Sequence, residues 1–380
     1  MDFNLNEEQQ LVQDSVARFV SDRYTLESRQ SIIASGQAFS DAHWATIAEL
    51  GWLGLTLPEA EGGFGGNQID TMVIMEQFGK GLVLEPFYAS IVLGARALIL
   101  GGSDQLKQEI LPAVIEGRCQ LAFGYAEEQA RFDLNDITTR AKVDGDMFIL
   151  NGHKSMVQNG GSAQQLIVSA RTAGAQTDTT GITLFVIDTA TEGLDCSSFP
   201  TVDGLTAAEV SLNNVRVPMT RVLGEVDQGF AILQNVAMDG ILALSAEALG
   251  AMEMLYKDTV TYTQEREQFD HPLADFQVLQ HAMVDMFMEY EQCKSLLYRA
   301  TLEVAQSGLA AMRTVHALKY LIGKVGTKIG ENAVQLHGGM GMTEELRIGH
   351  YFKRLLVIDA QLGNSDYHLE KFSTSSAYQG

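Results

Sequence analysis

Residues 335–343 read QLHGGMGMT, which brings an amide, a histidine and three glycines into one short stretch. Gly338, Gly339 and Gly341 can take positive φ and let backbone come close to a ligand. The pattern that follows, EELRIGHYFKRLLVID, predicts a helix beginning just after Thr343. Its free N–H groups would face the same spot, which suits an anion such as a dinucleotide pyrophosphate. The spacing is not G-x-G-x-x-G and no strand precedes it, so a Rossmann turn fails its context. The alternative is a tight glycine corner between two packed helices.

The elements that must position this stretch come in three blocks. Residues 5–117 read as helical: Leu11, Val12, Val16, Phe19 and Val20 follow helical spacing, and Asn6 before Glu7 and Glu8 is an N-terminal start. IDTMVIMEQFGKGL and YASIVLGARALILGG are further apolar helices, and GGFGG at 62–66 reads as a plain turn. From about 120 to 225 the texture becomes β-rich, with CQLAFGYA, ITTRAKVDGDMFILNGHKSMV, QQLIVSAR, GITLFVID and AEVSLNNVRV. Asp144-Gly145 and Asn151-Gly152 carry hairpin turn chemistry. After Gly229 the pattern is helical again, and Met283, Met286 and Met288 read as core or subunit packing. The expected fold is therefore α+β. It comprises an N-terminal helical domain (1–119), a middle antiparallel β-barrel domain (120–226) and a C-terminal four-helix bundle (227–380). The tail FSTSSAYQG is expected to fray.

Bulk composition narrows the function classes. The chain has 380 residues, 46% hydrophobic and 19% charged, enough for a large core. A net charge of −22 argues against nucleic acid or an anionic membrane surface as partner, so an anionic ligand needs a local basic patch. Cys119, Cys196 and Cys293 lie far apart with no C-x-x-C, which reads as reduced thiols in a cytoplasmic protein. The acidic start is no signal peptide, and no apolar run of about 18 residues is evident to span a membrane. The histidines form no ligand spacing, so no metal is expected.

Three segments, taken with the block order, resemble the acyl-CoA dehydrogenase family of flavoproteins over essentially the whole chain. They are QEREQFDHPLADFQVLQH (264–281), QLHGGMGMTEE (335–345) and LNGHKSMVQNGG (150–161). Within the family, HGGMGMTEELRIGHYFKRL and RFDL are most similar to small subunits of bacterial pimeloyl-CoA and steroid side-chain dehydrogenases. The resemblance implies FAD as cofactor and an acyl-CoA thioester as substrate. It implies that Arg266, Phe269 and Gln277 reach the dinucleotide of a neighbouring subunit, while Gln335, Gly338 and Gly339 hold its adenine end. It also implies a homo- or hetero-tetramer. The residue types agree: Arg266 can fork onto phosphate oxygens, Phe269 offers an apolar face, and the glutamines supply neutral amides. The other reading of Arg266 is an ion pair with Glu265 or Glu267. Arg347, Lys353 and Arg354 are candidates to draw anionic CoA or to serve structure.

The implied reaction removes an α-proton with a carboxylate, and here the chain departs from the pattern. Leu362, before Gly363, stands at one usual base position and Gly240 at the other. Asp239, one residue early and about 100° out of helical phase, is the candidate catalytic residue left in the chain. Glu247, about two turns on from Gly240 and on a similar face, is a weaker candidate that reads more readily as a buried or interhelical ion pair. Around the flavin, Ala126, Glu128, Phe132, Met156 and Gln158 replace the expected groups, while Lys154 and Asn159 remain. The expectation is thus an FAD-dependent acyl-CoA dehydrogenase, one subunit of a heteromer without its own usual base. The alternative is a non-catalytic partner subunit that holds a catalytic chain.

Overall fold

The computed structural model describes residues 4–375. Helices come first: α1 (Glu7–Arg23), α2 (Leu26–Ala34), α3 (Asp41–Glu49), α4 (Gln68–Gly81), α5 (Arg96–Gly101) and α6 (Asp104–Ile115). The Asn6 start forms a capping box, with the Asn6 side chain accepting from Gln9 N and Gln9 reaching back to the Asn6 N–H. Tyr88–Ala95, just before α5, is π-helical and buried throughout.

The strands follow: β1 (Leu121–Gly124), β2 (Arg140–Asp144), β3 (Met147–Gln158), β4 (Gln165–Arg171), β5 (Ile182–Asp188), β6 (Leu194–Pro200), β7 (Thr206–Pro218) and β8 (Val222–Leu223). Their order is β6-β7-β3-β2-β4-β5-β8, with β1 parallel on β4. The sheet is open, not the antiparallel barrel expected, and it is mixed. Closure would require its two end strands to pair, but β8 has two residues and β6 is largely exposed. Asp144-Gly145 does turn, and Gly145 takes φ 64 between β2 and β3. Asn151-Gly152 does not turn. It lies inside β3 at a register shift against β7, because β3 runs on across the sheet. A Cβ on Gly152 would overlap Thr139.

The last block is α7 (Phe230–Glu265), α8 (Gln277–Ser307), α9 (Met312–His337), α10 (Arg347–Ala360) and α11 (Ser365–Thr374). A strand pair, Glu267–Gln268 with His271–Pro272, sits between α7 and α8. Helix α10 starts at Arg347, later than the sequence predicts, because residues 343–346 form a bend and turn after the 3-10 turn at 338–342. Of FSTSSAYQG, Phe372, Ser373 and Thr374 end α11, Ser375 is its C-cap, and residues 376–380 lie outside the described residues. By length and composition α7 could cross a membrane, contrary to the sequence reading. However, 83% of its apolar window is buried in the protein, as in a core helix.

Contacts group the chain into two compact units. One takes the chain up to Ser31, Gln68–Val83 and the chain from Ile241 on, and is helical. In it α4 crosses α7 closely: a Cβ on Gly79 would overlap the Glu247 carbonyl, and one on Gly250 the Glu76 carbonyl. Gly323, Gly326 and Gly330 form one face of α9 and admit Asp359, Leu355 and Phe352 of α10. The other unit, Ile32–Asn67 and Leu84–Gly240, holds the sheet, its apolar core around Phe148, Leu166 and Phe185, and the first turns of α7.

Candidate functional site

In the helical unit, α7 and α9 end beside each other. The rings of Tyr262 and His337 stack with centroids 4.2 Å apart and planes 25° apart. Four residues beyond Tyr262 is Arg266, and two before His337 is Gln335, so the stack brings together the two segments singled out in the sequence. His337 is fixed by Nδ1 at 2.8 Å from the Ala333 carbonyl.

Arg266, Phe269, Gln277, Gln335, Gly338 and Gly339 are all exposed. Among the described residues Arg266 makes backbone bonds only: its N–H donates to the Tyr262 carbonyl and its carbonyl accepts from the Leu273 N–H. Among the described residues its guanidinium pairs with neither Glu265 nor Glu267. Phe269 and Asp270 take φ 58 and 63 at the tip of the two-residue turn between the short strands. A bulky residue at positive φ is strained by about 1–3 kcal/mol. Phe269 is also 85% exposed, so burial does not offset that cost. Gly338 ends α9 at φ 59, and a Cβ at Gly338 or Gly339 would meet nothing within 4 Å. An uncommitted guanidinium, exposed amides and an open glycine corner make a donor set that fits a dinucleotide.

The basic residues on α10 are already engaged. Arg347 holds Asp258 through Nε and Nη2, the latter at 2.8 Å from Oδ1; Lys353 Nζ is 2.6 Å from Glu344. Arg354 Nε and Nη2 lie 2.6 and 2.7 Å from the two oxygens of Glu247, in a buried α7–α10 ion pair. These three arginine and lysine side chains thus serve structure, and Glu247 is the interhelical pair the sequence suggested. Leu362, at φ 55, presents no proton acceptor on its side chain.

The β unit treats its sequence candidates in a similar way. Asp239 is buried on α7, with Oδ2 receiving Arg96 Nε at 2.7 Å. Gly240 is buried beside it. Lys154 Nζ is fully buried, 2.7 Å from Glu127 Oε1 and 3.0 Å from Ser169 Oγ. Glu127 also accepts from Thr138 N at 2.7 Å, Thr139 N at 3.1 Å and the Thr138 hydroxyl. Burial raises the Glu127 pKa, but Lys154 and the threonine donors outweigh it and hold the carboxyl at about 2. Asn159 is buried against Gln120 and the Leu121 carbonyl. The two residues retained at the flavin segment therefore turn inward. Met156, at φ 55 on a β3 register shift, is 54% exposed, while Ala126 and Phe132 are half-buried.

Sequence reasoning missed Glu127 and Arg96. Strand parity from Phe148 and Leu150 already points Lys154 inward and so demands a buried partner. Arg96 is a lone charge in an apolar run, a comparable signal. Among the described residues, no group of three or more His, Cys, Asp or Glu could hold a metal.

Family models match in three parts: "Acyl-CoA dehydrogenase, N-terminal domain" at 6–118, the middle domain at 122–215 and the C-terminal domain at 227–375. A 3-(aryl)acrylate reductase of Clostridium sporogenes is 29% identical over 326 residues, 84% of this chain and 86% of its own. The Caffeyl-CoA reductase-Etf complex subunit CarC of Acetobacterium woodii is 26% identical, over 95% of this chain and 96% of its own. The structure of butyryl-CoA dehydrogenase from Megasphaera elsdenii superposes with a TM-score of 0.91 at 26% identity, covering 98% of this chain and 99% of that one.

Proposed function

This chain belongs to the acyl-CoA dehydrogenase family, and from that premise we propose that it is an FAD-binding subunit of a heteromeric acyl-CoA dehydrogenase whose α-proton base is supplied by another polypeptide. As a member of that family it is an oxidoreductase acting on CH–CH bonds. FAD, when bound, supplies the acceptor for the β-hydride of an acyl-CoA thioester. Arg266 would hold phosphate oxygens of the dinucleotide, with Phe269 against an aromatic ring. Gln277 and Gln335 would offer amide contacts, and Gly338 and Gly339 would leave room for the adenine end.

The observation that carries the reading is Phe269, a phenylalanine held exposed at positive φ beside an uncommitted arginine. Within the chain the two-residue turn calls for positive φ and Phe276 meets the ring edge-on at 6.3 Å, yet a bulky apolar side chain at that tip is left 85% exposed. A site completed by a neighbouring subunit explains it, and the expected tetramer supplies the neighbour.

Charge pairing supports the shared base. Removing a thioester α-proton needs a placed carboxylate that is free to accept it. Glu247 is held by both ends to Arg354, Asp239 has one oxygen bonded to Arg96, and Leu362 has no acceptor. A relative named as the subunit of a reductase complex supports an assembly of unlike chains. The proposed subtype is that of the small subunits of pimeloyl-CoA and steroid side-chain dehydrogenases.

The test is spectroscopic. The purified chain is mixed with FAD, alone and after co-expression with the neighbouring gene's product, and then given an acyl-CoA. Flavin bands with bleaching only in the co-expressed complex are expected. Bleaching by the isolated chain would overturn the shared base, and absence of flavin from both preparations would overturn the FAD reading.

A further inference from the structure

The loop 361–364 between α10 and α11 is held from two sides. From α9, the fully buried Lys319 Nζ donates to Ile358 O at 2.8 Å, Asp359 O at 2.9 Å and Gly363 O at 2.9 Å. Two of these carbonyls close α10, where the helix end favours a cation. Burial pushes this amine down to about 7 against the pull of Asp359. Three carbonyl acceptors nevertheless call for three N–H donors, and a neutral amine has two, so Lys319 is an ammonium.

From α11, His368 Nε2 lies 3.0 Å from Leu362 O, which can only accept, so Nε2 carries the proton. Nδ1 of that neutral ring then accepts, and His316 Nδ1 of α9, 2.8 Å away, donates. These tautomers are assigned from the hydrogen-bond network. Between the two holds, Leu362 and Gly363 take φ 55 and 109, and a Cβ on Gly363 would come within 2.6 Å of His368 Nε2.

We propose that Lys319 and His368 form a two-point clamp on this loop, and that acid releases the His368 point by charging the His316–His368 pair. The clamp stands on its own geometry and does not depend on the functional reading above. A neutral pair shares one N–H between two facing nitrogens; charging both rings puts two N–H groups face to face.

The surroundings favour neutrality in the closed loop. Burial, then Lys371, hold His316 down to about 4. Burial, then Lys319, His316 and Lys371, hold His368 down to about 3, against the Leu362 carbonyl. Several other charges on the packed helices have partners of their own. Arg313 stacks on Phe372, Lys324 pairs with Asp366, Lys371 stands over Tyr367, Asp359 accepts from Ser365 N, and Glu303 of α8 is bonded to Arg299. An opened loop returns both histidines to ordinary values near 6.5. The open form then binds more protons than the closed form as pH falls below about 6.5. Opening therefore becomes about tenfold more favourable per pH unit for each histidine released, until the closed form itself protonates. Lys319, held at about 7 in the closed loop, is charged over most of this window and adds little to the slope.

Backbone hydrogen exchange of segment 361–368, corrected for intrinsic rates and followed from pH 7 to pH 5, tests this. Protection should fall roughly ten- to a hundredfold per pH unit in the wild type, well before global unfolding. The double variant His316→Asn/His368→Gln, which keeps an N–H toward Leu362 but has no titrating imidazole, should lose most of the slope below pH 6.5. Equal slopes in the two proteins, or none in the wild type, would overturn the clamp's pH release. Should the double variant not fold, side-chain ¹⁵N spectra of the wild type at pH 7 decide. Neutral rings with His368 Nε2–H and His316 Nδ1–H support the clamp, and an imidazolium at either position overturns it.

Discussion

Arg354 of α10 grips Glu247 of α7 with two nitrogens on two oxygens, 2.6 and 2.7 Å apart, and both side chains are almost fully buried. The residues lie 107 positions apart, so nothing local advertises the pair. Such a pair is costly to break from one side, because the surviving charge stays buried without a partner.

Glu247→Gln should therefore destabilise the protein by about 3–5 kcal/mol, read from urea unfolding. Replacing both partners together, Glu247→Met with Arg354→Met, should recover most of that loss. A single variant within 1 kcal/mol of wild type would contradict the buried pairing.

Asp239→Asn keeps the shape and removes the charge facing Arg96. If the base belongs to another chain, turnover of the assembled enzyme should stay within about threefold of wild type, with stability lowered by about 1–3 kcal/mol through the weakened pair. A fall of two orders of magnitude or more in kcat, with folding intact, would make Asp239 the base after all.

Arg266→Ala should weaken FAD binding by roughly tenfold or more, as loss of a charge-assisted contact predicts. Flavin fluorescence titration reads this directly, and global stability should hardly move because the side chain is exposed. Unchanged affinity would remove Arg266 from the dinucleotide site.

Glu127 sets an acid limit on the β unit. Its folded value of about 2 lies below the ordinary value of 4.5, so its contribution is complete above about pH 4.5 and is lost as pH falls toward 2. The shift corresponds to about 3 kcal/mol. Glu127→Gln should flatten the acid limb of the stability–pH curve. It should also cost several kcal/mol at pH 7, because Lys154 is left buried beside an amide. An acid limb as steep as in wild type would show that other carboxylates control it.

How much was legible in the sequence differs by element. Helical periodicity located the long helices, and Asn6 marked the start of α1, because capping and amphipathic spacing are short-range effects. Asp144-Gly145 was readable as a turn, since the strands that pair directly across it, Arg140–Asp144 with residues 147–151, are adjacent in the chain. Asn151-Gly152 has equivalent chemistry, yet β7 and Thr139 pack around it and carry the strand straight through. The later start of α10 likewise followed from a turn at 343–346 whose residue types, Thr-Glu-Glu-Leu, read equally well as a helix start.

The sequence by itself determined the family, the order of helical and β blocks, and the segments around Arg266 and Gln335, because each rests on residues close together in the chain. Only the tertiary structure decided which charges are free. Arg96 meets Asp239 across 143 positions, Lys154 meets Glu127 across 27 and Arg354 meets Glu247 across 107. Buried charge must find a partner wherever the packing brings one, and no pattern along the chain encodes that distance. The pairs that result hold the carboxylates of Asp239 and Glu247, while Arg266 and Phe269 stand exposed toward solvent.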